Sequence, residues 1–286
     1  MNIKAIILDI DGVIIGEKIG YNSPSPHQDV ISALKQIKSK GVSITLCTAK
    51  PHFAIRDIIK DAKLDNLHIT DGGGVIIDPL NENILKANII PSDIASKVLE
   101  TYIENNVYTE FYTVNDYYIQ KNQACNITTK HAHVLQQEPQ ISESIVETAN
   151  FNQLTKVMPI AKDEEDKKRL TELFRPFEKE LVLSWGIHPV ALPLQFGIIT
   201  AKGISKKNAA EEIMKQNNIS FTNVLGVGDS TSDWQFIQLC KFSGAMGNAS
   251  NELKELVISK ETACSYICPS VDENGILNLF QKFDLL

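Results

Sequence analysis

The stretch IILDIDGVII, residues 6–15, decides how the rest of this chain is read. Ile3–Leu8 is apolar apart from Lys4, which reads as a buried strand of a parallel sheet. Asp9 and Asp11 then interrupt the apolar run, and Gly12 marks a turn. An ionised carboxylate beside a greasy core is costly unless something pairs with it. The pattern therefore predicts a strand that ends at a sheet edge with two carboxylates at its C-terminal end, where open α/β sheets hold their ligands.

Working outward, strand-like and helix-like segments alternate at both ends of the chain. Asp29–Lys40 carries Val30, Ile31, Leu34 and Ile37 at helical spacing, and Gly41 ends it. Val42–Cys47 is a second buried strand and Phe53–Ala62 a second helix, followed by the glycine run Gly72–Gly74. Later, Ser205–Gln216 reads as a helix, Asn223–Val227 as a strand and Asp233–Cys240 as a helix. Such alternation implies βαβ units around a parallel sheet. The middle is different. It holds aromatic strand-like pieces such as Tyr108–Tyr118 and helical patterns at Pro91–Asn105, Ser142–Asn150 and Asp163–Phe174, then strand-like Leu181–Trp185 and Val190–Leu194. The expectation is an α/β domain made of residues 1–85 and 195–286, with an α+β domain, residues 86–194, inserted between its halves.

Bulk properties bound the function. The chain has 286 residues, 43% hydrophobic and 22% charged, which is ample for a core and matches about two domains. A formal charge of −7 argues against nucleic-acid or anionic-membrane partners while leaving room for a small anionic ligand. The five cysteines form no CxxC pair and no zinc-like spacing, so they read as reduced, buried thiols. Asp9 and Asp11 cut the first apolar run too early for a membrane span or a signal peptide, so the expected location is cytoplasmic.

Four short stretches fall at strand ends or a helix start: Asp9-Ile10-Asp11-Gly12, Thr48-Ala49-Lys50, Ser205-Lys206, and Gly228-Asp229 with Ser230-Thr231-Ser232-Asp233. Each alone has an ordinary reading as a cap, a turn or a solvated lysine. Together and in this order they resemble the haloacid dehalogenase-like (HAD) hydrolase superfamily. The tail segments Gly203-Ile204-Ser205-Lys206 and Ala245-Met246-Gly247-Asn248-Ala249 are similar to its Cof-type sugar-phosphatase branch, and the inserted module is similar to its C2 cap. The resemblance implies a Rossmann-like α/β core with a parallel sheet and an α+β cap. It also implies a Mg²⁺-dependent phosphatase acting on a small phosphorylated metabolite, of the sugar-phosphate kind.

The roles it implies suit the residue types. Asp9 would be the nucleophile that takes the phosphoryl group, and Asp11 the general acid and then base. Thr48, Ala49, Lys206 and Ser232 would hold the phosphate. Asp9, Asp11 through its main-chain carbonyl, and Asp229 would supply oxygen ligands to Mg²⁺, with Asp233 binding the metal or orienting its waters. Some positions depart from the branch: Thr48-Ala49-Lys50 where Thr-Gly-Arg is usual, Ser232 where Asn is common, Trp234 for a smaller apolar residue, and Asp71-Gly72 for Asn-Gly. In the cap, the turn Trp185-Gly186-Ile187-His188-Pro189 offers Trp185 and His188 as substrate contacts. His131 and His133 would share a face if their segment were a strand. The same aspartates would also serve a phosphomutase or phosphotransferase, and a non-catalytic ligand-binding protein could keep the fold. The expected assembly is a monomer or a homodimer.

Overall fold

A computed structural model of the chain describes residues 2–81, 83–187 and 191–286, and it divides into two compact units. The first unit comprises residues 1–49, 55–85 and 205–286, and the inserted unit residues 50–54 and 86–204. The chain begins with β1 (Ala5–Leu8), α1 (Gln28–Ser39), β2 (Ser43–Leu46), a 3-10 turn at His52–Ile55, α2 (Arg56–Asp61), β3 (His68–Thr70), β4 (Val75–Asp78) and β5 (Asn83–Ala87). The inserted elements are α3 (Ser92–Glu104), β6 (Thr109–Tyr112), β7 (Tyr117–Gln120), α4 (Asn126–Leu135), β8 (Gln140–Ser142), α5 (Ile145–Ala149), β9 (Lys156–Ala161), α6 (Glu164–Phe174), β10 (Leu181–Gly186) and β11 (Gln195–Ala201). The return is α7 (Lys206–Gln216), β12 (Val224–Gly228), α8 (Trp234–Ile237), β13 (Phe242–Ala245), α9 (Asn251–Ile258), β14 (Ser265–Ile267) and α10 (Ile276–Lys282).

The first unit is the expected α/β core. Its main sheet has the order β14-β13-β12-β1-β2, with every recorded pairing parallel. All four residues of β1 are fully buried, because helices cover both faces of the sheet. Ala5 and Ile7 pack with Ala210, Ile213, Phe236, Ile237, Leu253 and Val257 of α7, α8 and α9. Ile6 and Leu8 alternate to the other face, the side of α1 and α10. Parallel strands deliver their C-terminal ends to one edge, and this is what gathers the motifs.

The inserted unit is α+β. Its sheet runs β10-β11-β9-β6-β7-β8, antiparallel except between β7 and β8. One face is packed by Val98, Leu99, Tyr102, Leu170 and Phe174 of α3 and α6 against Phe111, Val157 and Ile199. The other face holds a second cluster with Tyr112, Tyr117, Leu135, Met158 and Phe196, joined by Phe53. Inside it, Glu110 is fully buried and saturated. Its carboxylate meets His131 Nδ1 at 2.8 Å and accepts from Tyr112 Oη at 2.6 Å and Tyr108 Oη at 3.2 Å.

Several segments differ from their expected form, each for a local reason. Val190 lies outside the described residues, and Ala191–Leu194 is not strand, because Pro193 cannot donate to a ladder; the strand starts at Gln195. That strand, β11, pairs with β10 and β9, so the chain re-enters the first unit at Ser205 rather than at residue 195. Ser142–Asn150 is not one helix: residues 140–142 pair with β7, and Ser144 caps a short helix by accepting from Glu147 N. Asp233–Cys240 is α-helical only over α8, after which i→i+3 bonds tighten the chain and Lys260 Nζ takes the Ile237 carbonyl. The histidine segment is helix α4, so His131 is buried while His133 is exposed. All five cysteines are free, four of them buried and Cys125 exposed. Among the described residues, no helix is long and apolar enough to cross a membrane.

Replacing Glu110 with Ala strands buried His131 Nδ1 and Tyr112 Oη, while Tyr108 keeps Thr128 Oγ1 at 2.9 Å, and is expected to cost about 3 kcal/mol in urea unfolding. Glu143→Ala, which removes only an exposed pair with Lys121, should leave the midpoint unchanged.

Candidate active site

Asp9 follows β1 directly and stays tied to the sheet, its N–H donating to the Val227 carbonyl at 3.1 Å. Asp229 directly follows β12, the neighbouring strand, two residues past the Leu8–Val227 pair that ends the shared register. Thr48 follows β2 on the other side of β1 and is buried; its N–H donates to the Ile69 carbonyl at 3.0 Å. Lys206 opens α7, capped by Ser205, whose Oγ accepts from Asn208 N at 3.0 Å. The approach of α7 depends on Gly73. At φ +104°, a Cβ there would stand 2.3 Å from the Ser205 carbonyl oxygen, so no larger residue lets the helix start come this close.

Lys206 is the hub. Its buried Nζ donates to Asp9 Oδ1 at 3.1 Å and to Asp233 Oδ1 at 2.7 Å. The second oxygen of Asp233 is also engaged, accepting from Asp229 N, Ser230 N and Ser230 Oγ, each at 3.1 Å. A Cβ on Gly228 would collide with this side chain at 2.4 Å. Asp233 therefore organises the loop after β12 and anchors the lysine, and its oxygens are committed to that task. Gly12 does comparable work beside Asp229. Its φ is +75°, and a Cβ would sit 2.0 Å from Asp229 Oδ2.

Asp9, Asp229 and Asp233 each offer a carboxylate oxygen within 4.8 Å of the others. Burial, then repulsion from Asp233, pushes the Asp9 carboxyl up to about 7. Burial and repulsion from Asp233 and Asp9 push Asp229 up to about 8. For Lys206, burial alone works against the charge, but Asp233 and Asp9 outweigh it and hold the ammonium well above its ordinary value. One lysine thus faces three clustered carboxylates. The surplus of buried negative charge and the all-oxygen donor set fit a hard divalent cation held by Asp9 and Asp229.

The remaining expected site residues divide clearly. Asp11 is half-buried and bridges in strand fashion to Ile15, on the turn just past Asp9. Ala49 follows Thr48 at the same edge. Lys50 packs with the inserted unit, its Nζ donating to the Val134 carbonyl near the end of α4 at 3.0 Å. Ser232 is exposed and pairs with Ser230 Oγ at 2.8 Å, so Ser230 is the serine that reaches the acidic cluster. Trp185 is half-buried on the face covered by α6, where its Nε1 donates to Thr171 Oγ1 at 3.2 Å. His188 lies outside the described residues. The roles of Ser230 and Gly73 were not legible beforehand. Only the GDxxxD spacing and the glycine run pointed near them.

Comparison with known proteins gives a consistent result. The sequence model of the haloacid dehalogenase-like hydrolase family matches residues 6–280. A curated relative, pyridoxal phosphate phosphatase YbhA of Escherichia coli (strain K12), is 25% identical over 276 residues, covering 93% of this chain and 96% of that protein. A haloacid dehalogenase-like hydrolase from Bacteroides thetaiotaomicron shares the fold at a TM-score of 0.82 and 17% identity, covering 98% and 99% of the two chains. The HAD subclass IIB sugar phosphatase BT4131 shares it at 0.78 and 21%, covering 99% and 100%.

The raised carboxyls have a thermodynamic consequence. Their folded values of about 7 and about 8 lie above the ordinary 3.8. Between those limits the folded protein holds protons that the unfolded chain has released, so stability falls as pH rises across that window. In EDTA, the melting temperature should drop from pH 5 to pH 8. Asp229→Asn should flatten the drop and melt about 2–4 °C above the parent at pH 8, a shift worth ~1 kcal/mol in a chain of this size. A parent whose stability rises over that range would refute the assignment of proton uptake to these two groups.

Proposed function

Because the chain belongs to the haloacid dehalogenase-like hydrolase family, we propose that it hydrolyses a small phosphomonoester, of the sugar-phosphate class, by way of a phosphoryl group carried on Asp9. The observation that carries this reading is the buried Lys206–Asp9 pair at 3.1 Å, set in an acidic cluster beside Asp11. Similarity to a pyridoxal phosphate phosphatase and fold likeness to a sugar phosphatase support the phosphomonoester class.

Asp9 is fixed at the strand end with one oxygen on Lys206, so its carboxylate is presented in a single orientation. It attacks phosphorus, the P–O bond to the alcohol breaks, and Asp11 gives its proton to the departing oxygen. Asp11, now ionised, removes a proton from water, which attacks phosphorus and returns phosphate and the Asp9 carboxylate. Lys206 neutralises negative charge gathering on the phosphoryl oxygens, and Thr48 contributes its hydroxyl. Asp233 keeps Lys206 and the loop after β12 in register through four contacts. Asp9, Asp229 and the main-chain carbonyl of Asp11 would hold Mg²⁺. When bound, the ion supplies the positive charge that offsets repulsion between carboxylate and phosphate. A non-catalytic reading gains nothing from the site, since Asp9, Asp11, Lys206 and Asp229 are all present.

The test is phosphate release from a panel of sugar phosphates, pyridoxal phosphate and an aryl phosphate, with Mg²⁺ and with EDTA. Turnover should require the metal and fall at least about 10³-fold in Asp9→Asn. Lys206→Ala should lose roughly 10²–10³-fold. Full activity of Asp9→Asn would overturn the nucleophile assignment. Transfer of the phosphoryl group to an added alcohol in preference to water would make the protein a phosphotransferase.

A further inference from the structure

Asn248 lies in the turn after β13, and its side-chain amide joins two loops distant in sequence. Nδ2 donates to the Gly12 carbonyl at 2.9 Å, and Oδ1 accepts from Val271 N at 2.9 Å. The same turn also holds the loop that carries Asp229, because Ser250 N donates to the Asp229 carbonyl at 2.9 Å. The turn itself is firmly seated. Met246 N donates to the Gly228 carbonyl at 3.2 Å, Gly247 N to the Pro269 carbonyl at 3.1 Å, and Lys254 Nζ to the Gly247 carbonyl at 2.6 Å.

The contact with Gly12 matters because of what surrounds that residue. Residues 10–15 curl about the Ile10 carbonyl, which accepts from the N–H groups of Val13, Ile14 and Ile15 at 2.9–3.2 Å. Gly12 N donates back to the Ile15 carbonyl at 2.8 Å. The amide groups on both sides of Gly12 are thus used inside the turn, while its carbonyl is gripped from outside by Asn248. Beyond Ile15 the loop is held from the same side. Asp272 Oδ1 accepts from Glu17 N at 3.0 Å and Asn22 Nδ2 at 2.9 Å, and Lys18 Nζ donates to the Asp272 carbonyl at 2.8 Å. Asn248 and the 271–272 segment therefore clamp the loop that begins at Asp11.

We propose that Asn248 is a positioning residue for Asp11. By fixing the carbonyl of the adjacent glycine, it sets the placement of the proton donor relative to the leaving oxygen, without touching any reacting atom itself. This inference rests on the phosphatase reading above. Proton donation is sensitive to placement, and its importance depends on the leaving group. An alkoxide needs the proton, whereas a dinitrophenolate leaves readily without it.

The experiment is kcat/KM with Mg²⁺ for alkyl, phenyl and dinitrophenyl phosphates, using the parent, Asn248→Ala and Asn248→Asp. The aspartate variant keeps an acceptor for Val271 N and changes only the group facing Gly12, so it isolates the contact if the alanine variant disturbs the 270–274 turn. Both variants should lose about tenfold with the alkyl phosphate, the kinetic equivalent of one hydrogen bond. With the dinitrophenyl ester they should stay within about twofold of the parent. Equal loss across the series, or none, overturns the inference and leaves the phosphatase reading standing. A parent that cleaves no member of the series overturns that reading, and the inference with it.

Discussion

An ammonium group buried between two carboxylates is costly to assemble and, once assembled, difficult to rearrange. Lys206 bonded to Asp9 and Asp233 is such a group, and the architecture of the first unit follows from the need to build it. Three charges have left bulk water, so each must find its partners in the protein. Parallel strands supply Asp9 and Asp229 at one sheet edge, and α7 brings Lys206 to the same edge because Gly73 leaves room for it. Asp233 completes the set by tying the lysine to the loop after β12. Removing the lysine would leave like charges facing each other in a low-dielectric setting, so it is as much a structural element as a chemical one.

This also explains why the site was largely legible from the sequence and the inserted unit less so. Asp9, Asp11 and Asp229 interrupt or follow apolar runs, and a charge in that position demands a reason that short-range pattern can register. Lys206 follows a capping serine, another local signal. The sheet to which a strand belongs has no such signal. Gln195–Ala201 has strand periodicity, yet only its pairing with β9 and β10 places it in the inserted unit. The segment with His131 and His133 could be read in either period. Its helical form was settled by burial of His131 against Glu110, twenty-one positions away in sequence. Ser232 and Ser230 were indistinguishable by type, and loop geometry alone decided which reaches Asp233.

The inserted unit owes its order to packing on both faces of its sheet. Its sheet is covered on both faces, by α3, α5 and α6 on one side and by α4 with residues 50–54 and 191–194 on the other. The aromatics of the sheet are engaged with one another. Phe111 stacks on Tyr118 at 4.6 Å, Tyr112 on Tyr117 at 5.3 Å, and Tyr117 on Phe53 at 6.1 Å. The Glu110 network adds saturated polar contacts that favour one arrangement over others.

The charge balance of the first unit links this rigidity to activity. A carboxyl with a pKa raised to about 7 is only partly ionised at neutral pH, which makes Asp9 a poor nucleophile in isolation. Its protonation arises from burial and from Asp233, and Asp233 cannot relax because both its oxygens are bound to the protein. Proton uptake by Asp9 and Asp229 is one relief for the clustered charge, and added positive charge would be another. Asp9 and Asp229 are the residues that would hold a divalent cation, and its positive charge would favour their ionised forms. Burial and mutual repulsion thus make the charge arrangement of this carboxylate cluster unfavourable, and added positive charge would relieve it.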